Sequence, residues 1–260
     1  YNSIVTKENS FFRILDVDLF KLMRPARFHS WNLTPREAVA IQDTLRDKVK
    51  TCPLPKRIQL IAGADVSFDT GSNLVHAAVT VLRFPELTLV EHCSSTEKVT
   101  FPYIPGLLAF REGPPIVHAF QKLENTPDVV MFDAHGVSHP RRFGLASHLG
   151  VIFDLPSVGV AKKVLVGSFN KMKKERGNHS TLVDGEEEIG LALHTKDGVN
   201  PVFISVGHRS DLQSSMDIVL SCATKYRIPE PTRQADMIVN SLRKGDEVGL
   251  DIDGGQTSLF

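Results

Sequence analysis

Ile58-Gln59-Leu60-Ile61-Ala62-Gly63-Ala64-Asp65-Val66-Ser67-Phe68 is an apolar run with one aspartate inside it. Followed by the turn-forming cluster Asp69-Thr70-Gly71-Ser72-Asn73, it reads as a strand. A carboxylate within such a run is costly to bury unless a cation meets it. A second run, Asp128-Val129-Val130-Met131-Phe132-Asp133, is a short apolar strand with Asp133 at its carboxyl end. Two strands that bring one aspartate each to a common point make a divalent-metal site, and such sites serve phosphodiester and phosphoryl-transfer chemistry. Oxygen ligands suit Mg²⁺ or Mn²⁺, and Mg²⁺ is typically held by one or two carboxylates with water and substrate phosphate. The plainer alternative is that each aspartate ends a strand and enters a turn. It suits Asp133, which precedes Ala134-His135-Gly136, better than Asp65, whose neighbours are apolar or small.

Outward from these strands the pattern is regular. Thr34-Pro35-Arg36-Glu37 is a capping box with proline at the first helical position, and it predicts a helix over 35–50 that Pro53 and Pro55 stop. Leu74 to Phe84 and Leu87 to Phe101 read as two further strands, so 58–101 is an antiparallel meander. Residues 105–123 turn helical, with a break or kink expected at Gly113-Pro114-Pro115. Strand 129–133, a helix over 143–153 and strand 157–161 follow. Three strands, helix, strand, helix, strand predict a mixed α/β sheet with helices on its faces. Beyond Gly167, Lys171 to Arg176 read as a charged loop. Ile189 to Thr195 and Val202 to Val206 form an added hairpin on Asp197-Gly198. Two C-terminal helices close the chain, the first behind a possible capping box at Ser210 to Gln213. The expected organisation is an N-terminal extension (1–30), a single domain (31–244) and a flexible tail (245–260).

The 260 residues, 42% of them hydrophobic, suffice for a sizeable core. Thirty basic and thirty acidic residues leave a formal charge of zero, which argues against a purely electrostatic nucleic-acid binder but permits a local basic patch. Cys52, Cys93 and Cys222 form no close pair, which favours a reducing, cytoplasmic setting. No run approaches the ~20 apolar residues needed to cross a bilayer. A monomer is compatible with this composition.

Further candidates lie around the two aspartates. Glu112 is a third carboxylate, a ligand or the group that orients water, or else a solvated helix residue paired with a base. Asp236 carries the same ambiguity. Pro102-Tyr103-Ile104-Pro105-Gly106 is a rigid loop whose side chains either wedge between stacked bases or plug the core. His139-Pro140-Arg141-Arg142 would put imidazole and guanidinium groups beside the metal, or is simply a basic surface turn. Lys162 and Lys163 follow strand 157–161 at its carboxyl end, where the active sites of α/β sheets collect.

Six blocks, taken together, resemble the endonuclease V family. They are G-A-D-V-S-F around Asp65, P-Y-I-P-G-L-L-A-F-R-E from Pro102, and D-A-H-G-V-S-H-P-R-R-F-G-L-A-S-H-L-G from Asp133. The others are V-G-V-A-K-K from Val158, V-G-H-R from Val206, and R-I-P-E-P-T-R-Q-A-D from Arg227. The resemblance runs in family order from about Pro35 to Arg243. It implies a ribonuclease H-like five-stranded mixed sheet with the first and fourth strands side by side. It further implies Mg²⁺-dependent hydrolysis, with Mn²⁺ able to substitute, at the second phosphodiester 3′ to deoxyinosine in DNA. Water activated by the metal would be the nucleophile, leaving 3′-hydroxyl and 5′-phosphate ends.

On the same basis Asp65 and Asp133 are expected as metal ligands and Glu112 as the catalytic glutamate. His139 and Lys162 would lie near the scissile phosphate, and Asp236 would stand at the acidic-or-histidine position of the last helix. Pro102, Tyr103, Ile104 and Gly106 would form the strand-separating wedge, with His139, Arg141 and Lys162 also against the nucleic acid. The chain departs from the family at Ala134 and His135, where members carry Gly and then Gln or Asn, which bears on contacts to the base. The competing expectation is an inosine-specific endoribonuclease using the same site. A non-catalytic nucleic-acid-binding scaffold should lack one of the metal carboxylates, and this chain keeps Asp65, Glu112 and Asp133.

Overall fold

A computed structural model describes residues 29–246 together with Pro25. The expected extension 1–30 and tail 245–260 therefore lie outside the described residues, apart from Pro25, His29, Ser30, Gly245 and Asp246.

The Thr34 box forms as expected: the Thr34 N–H donates to Glu37 at 2.8 Å and the Glu37 N–H donates back to Thr34 Oγ1 at 3.4 Å. It opens α1 (Pro35–Leu45), which tightens into a 3₁₀ turn at Arg46–Lys48. Next come β1 (Leu60–Asp69), β2 (Leu74–Arg83) and β3 (Thr88–Lys98), joined by short turns into the antiparallel meander. After α2 (Leu108–Phe120), β4 (Val129–Phe132) lies parallel to β1. After α3 (Leu145–Phe153), β5 (Ser157–Ala161) lies parallel to β4. The five strands thus stand as a ribonuclease H-like sheet with the first and fourth adjacent.

Three features differ from the sequence expectation. The added hairpin is not an appendage: β7 (Glu187–Leu193) and β8 (Val202–His208) extend the same sheet through an antiparallel pairing of β8 with β5. The charged segment also contains a further strand, β6 (His179–Asp184), so among the described residues the sheet has eight strands in the order β3-β2-β1-β4-β5-β8-β7-β6. As the outermost strand it is mostly half-exposed and polar, with Leu182 alone fully buried, and so lacks the apolar signature of its neighbours. Finally, α2 runs uninterrupted through Pro114 and Pro115. Burial of Ile116, Val117 and Phe120 against the sheet outweighs the local cost, and Ser95 Oγ on β3 donates to the Pro115 carbonyl at 2.8 Å.

Alternation along β1 divides the two faces. Ala62 and Ala64 join the core under α2 and α3, while Ile61 belongs to the opposite core. On that second face lie α4 (Leu212–Cys222) and α5 (Glu230–Lys244); Asp211, not Ser210, caps α4 through the Ser214 N–H. At Gly63 the backbone of α5 comes so close that a Cβ would stand 2.1 Å from the Pro231 carbonyl carbon. Asp65, two residues on, therefore faces the helix that carries Asp236.

Candidate active site

The parallel register pairs Ala64 with Phe132, so Asp65 and Asp133, one step further along each strand, fall side by side. The Asp133 N–H donates to the Ala64 carbonyl at 3.2 Å, which fixes that adjacency beyond the end of β4. Lys162, immediately past β5, sets its ammonium against Asp133 in an ion pair and lies 3.7 Å from Asp236 on α5. Four of the predicted residues, Asp65, Asp133, Lys162 and Asp236, thus meet where β4 and β5 end beside the middle of β1, with α5 alongside. Glu112, on the first turns of α2, approaches from the other face closely enough for Asp133 to act on its charge.

The electrostatics are those of a site short of positive charge. Burial, and next the Asp133 carboxylate, hold the Asp65 carboxyl above the usual range, although its Oδ1 accepts the Val66 N–H at 2.8 Å. Burial raises Asp133 as well, against the pull of Lys162 and Arg227. Glu112 is pushed up to about 8 by burial and by Asp133, with Arg111 opposing. For Lys162 burial works against the charge, but Asp133, Asp65 and Asp236 lift the ammonium above its ordinary value.

The donor set consists of hard carboxylate oxygens, with the Lys162 ammonium lodged where a cation is needed, and it fits a divalent ion. Among the described residues no three His, Cys, Asp or Glu side chains gather closely enough to enclose a metal. Two carboxylates completed by water and phosphate are an ordinary Mg²⁺ arrangement.

A pH dependence follows. Each of these carboxyls keeps its proton in the folded chain at a pH where the unfolded chain has lost it. The penalty on folding therefore begins above the unfolded value near 4 and grows as pH rises toward the folded value. In EDTA, thermal melts are expected to fall steadily between about pH 5 and 8, with a slope on the order of 1 kcal/mol per pH unit, and Mg²⁺ should flatten the fall. A melting temperature that is flat or rising with pH in EDTA would contradict this electrostatic account.

Beside the acidic cluster opens a cleft of about 200 Å³, walled by Ile104, Gly106, Ala134, His135, His139 and Leu145. Tyr103 and Leu165 stand at its lips, 68% and 43% exposed, so the Pro102–Gly106 loop presents an aromatic ring to solvent instead of burying it in the core.

Two basic residues are placed differently from expectation. His139 is buried, with Nε2 donating to the Gly106 carbonyl at 3.0 Å and Nδ1 accepting the Arg141 N–H at 3.1 Å. Burial, reinforced by Arg141, lowers its pKa to about 4, so the ring is neutral and carries no charge toward a phosphate. Arg141 turns inward, its Nε donating to Gln42 at 2.6 Å and its Nη2 to the Gly106 carbonyl at 2.5 Å. Together they pin the loop at Gly106, whose φ of +79° favours glycine and where a Cβ would meet the Arg141 guanidinium at 2.9 Å.

His135 donates from Nε2 to the Lys163 carbonyl at 2.9 Å and leaves a buried Nδ1 without a partner among the described residues. Gln42 and Arg227 went unassigned in the sequence. Gln42 lies on a helix face whose periodicity marks it only as polar, and Arg227 sits within a quoted block without a chemical signature of its own.

A ribonuclease H-like sheet with two aspartates abutting across its first and fourth strands defines a class of metal-dependent nucleases. The comparisons narrow that class. Residues 43–237 match the endonuclease V family. The endonuclease V of Nostoc punctiforme is 42% identical over 220 residues, covering 84% of this chain and all of the relative. The crystal structure of endonuclease V from Streptomyces avermitilis superposes with a TM-score of 0.79 at 43% identity, covering 83% of this chain and 96% of that one. That of Ciona intestinalis endonuclease V, in complex with DNA containing an inosine followed by a ribo-adenosine, gives 0.73 at 30% identity, covering 81% and 98%. The chain belongs to the endonuclease V family.

Proposed function

We propose that this nuclease hydrolyses the second phosphodiester bond 3′ to deoxyinosine in DNA, leaving 3′-hydroxyl and 5′-phosphate ends, as a monomeric DNA-repair enzyme of the cytoplasm. The observation that carries this reading is the β1–β4 register, which sets Asp65 against Asp133 beside a base-sized cleft. The inosine in the Ciona complex supports inosine as the lesion, and the free state of Cys52, Cys93 and Cys222 agrees with a reducing compartment.

Asp65 and Asp133 would hold Mg²⁺, or Mn²⁺ in its place. When bound, such an ion polarises the phosphate and lowers the pKa of water. Glu112, which faces Asp133, would take a proton from the attacking water in its ionised form, the minor form at neutral pH while its pKa stands at about 8 and the form that a bound cation favours. The Lys162 ammonium offsets the charge that builds on the cleaved phosphate, and Asp236 keeps that ammonium beside Asp133. His139 and Arg141 fix the Gly106 loop, so that Tyr103, between Pro102 and Ile104, fills the gap left when the base turns into the cleft. An inosine pairs weakly, so extruding it costs less than extruding a normal base.

The ribo-adenosine in the Ciona complex favours a second reading, cleavage of inosine-containing RNA by the same residues. End-labelled duplexes with one deoxyinosine, and an inosine RNA, separate the two when incubated with the protein and its Asp65→Ala variant in Mg²⁺ or EDTA. A nick one nucleotide beyond the lesion, lost in EDTA and in the variant, is the expected result. Cleavage of RNA alone would move the substrate to RNA, and binding without cleavage would overturn the enzyme reading.

A further inference from the structure

We infer that Arg227 is a positioning residue for Lys162, acting through the main chain of the β5 exit. Arg227 lies in the connection between α4 and α5, nine residues before Asp236 and far in sequence from Asp65, Glu112, Asp133 and Lys162. Its Nη2 donates both to the Lys162 carbonyl at 2.9 Å and to the Pro201 carbonyl at 2.7 Å. The first bond holds the residue that carries the site's ammonium, and the second ties it to the segment leading into β8, the strand paired with β5.

Lys162 itself is exposed over much of its side chain, 42%, and stands just past the last hydrogen-bonded residue of its strand. A flexible four-carbon stem in that position places its ammonium reproducibly only if its backbone is fixed. The Arg227 fork is what fixes it. Arg227 has no ion-pair partner among the described residues, and its Nε is buried without an acceptor. A guanidinium kept only for packing would be a poor choice there, because an unsatisfied buried donor destabilises the fold by itself. Its charge does reach the site, since Asp133 feels it.

This inference rests on the nuclease reading, in which Lys162 faces the scissile phosphate. The test uses Arg227→Met, which keeps the stem and removes the donors, Arg227→Lys, which keeps a donor and the charge, and Lys162→Ala alone and combined with Arg227→Met. With deoxyinosine DNA and Mg²⁺, Arg227→Met is expected to lower kcat by about 10- to 100-fold with KM within about threefold, and Arg227→Lys to recover part of the loss. In the Lys162→Ala background the same change should cost no more than about threefold, because the group it positions is gone.

Hydrogen exchange, which needs no activity, should rise over residues 161–165 in Arg227→Met and stay unchanged in β1 and β4. Equal losses in both backgrounds, or a change in KM alone, would overturn the inference, the latter marking Arg227 as a direct phosphate contact. Unchanged exchange at 161–165 would overturn it as well. Should Arg227→Met fail to fold, Arg227→Lys alone decides by the same kcat and exchange readouts. A wild-type protein that nicks neither DNA nor RNA would instead overturn the nuclease reading, while the exchange result would still report on the Arg227–Lys162 link.

Discussion

Exchanging Asp65 for asparagine is expected to raise the stability of the metal-free protein while removing its activity. Asparagine has the same shape, and its Oδ1 can go on accepting the Val66 N–H that now donates to Asp65 at 2.8 Å. What it removes is a carboxylate held in a largely enclosed position, beside Asp133 and within reach of Asp236, with the Lys162 ammonium as the nearby cation. At pH 8 the unfolded chain carries that carboxylate ionised at no cost, whereas the folded chain must either protonate it or tolerate the repulsion. Relief of even about 1 kcal/mol raises the melting temperature of a domain this size by roughly 2–4 °C.

Activity should move the opposite way. Loss of one of two ligand carboxylates is expected to lower the nicking rate by about 10³-fold or more, equivalent to roughly 4 kcal/mol of the barrier. The added stabilisation that Mg²⁺ gives the wild type should be largely absent from the variant. Thermal melts with and without Mg²⁺, run beside the nicking assay, read both effects. An Asp65→Asn protein that melts lower in EDTA, or that still nicks within tenfold of wild type, would refute the assignment.

Gly63→Ala is expected to have the largest effect on the fold. A Cβ at Gly63 would lie 2.1 Å from the Pro231 carbonyl carbon, 2.3 Å from its oxygen and 2.4 Å from the Thr232 nitrogen. These are backbone atoms of the first turn of α5, so no side-chain rotation relieves the contact, and the helix must move off the sheet. Displacement strains the bond from Thr80 Oγ1 to the Pro231 carbonyl, now 2.9 Å, and opens the packing of Ile238 and Val239 on Ala78. It also draws Asp236 away from Lys162.

Overpacking of this kind costs about 1–3 kcal/mol and sometimes more, so a fall in melting temperature on the order of 5–10 °C is expected. Activity should drop with it, because Lys162 loses one of its two carboxylate partners. Gly71→Ala is the control: it sits in the β1–β2 turn, where the nearest atom, Asp69 Oδ1, is 3.4 Å away, and its melt should stay close to wild type. A Gly63→Ala protein melting within about 2 °C of wild type would show that α5 does not press on β1 as described.

Much of the architecture was legible locally. The Thr34–Glu37 cap, the apolar strands with their turn clusters, and the lone carboxylate of Asp65 are signals carried by neighbouring residues. Side-chain alternation and capping act over only two to four residues. They sufficed to give the meander, the β4 and β5 strands and the two aspartates, and the six motif blocks led to the family and its sheet topology.

What lay beyond the sequence were the outcomes decided by distant partners. Pro114 and Pro115 read locally as a helix break, yet burial against β2 and β3 keeps α2 whole. β6 has no apolar pattern and is a strand only because β7 offers it a ladder. His139 and Arg141 looked like free bases for phosphate until their partners were known. Arg141 meets Gln42 across 99 residues, and His139 meets Gly106 across 33. Arg227 reaches Lys162 across 65. The sequence by itself determined the elements that carry a local apolar or capping signal and the carboxylates set among them, because backbone and periodicity terms are local. The tertiary structure alone decided the orientation and partners of His139, Arg141 and Arg227, because hydrogen-bond partners are supplied by residues far along the chain.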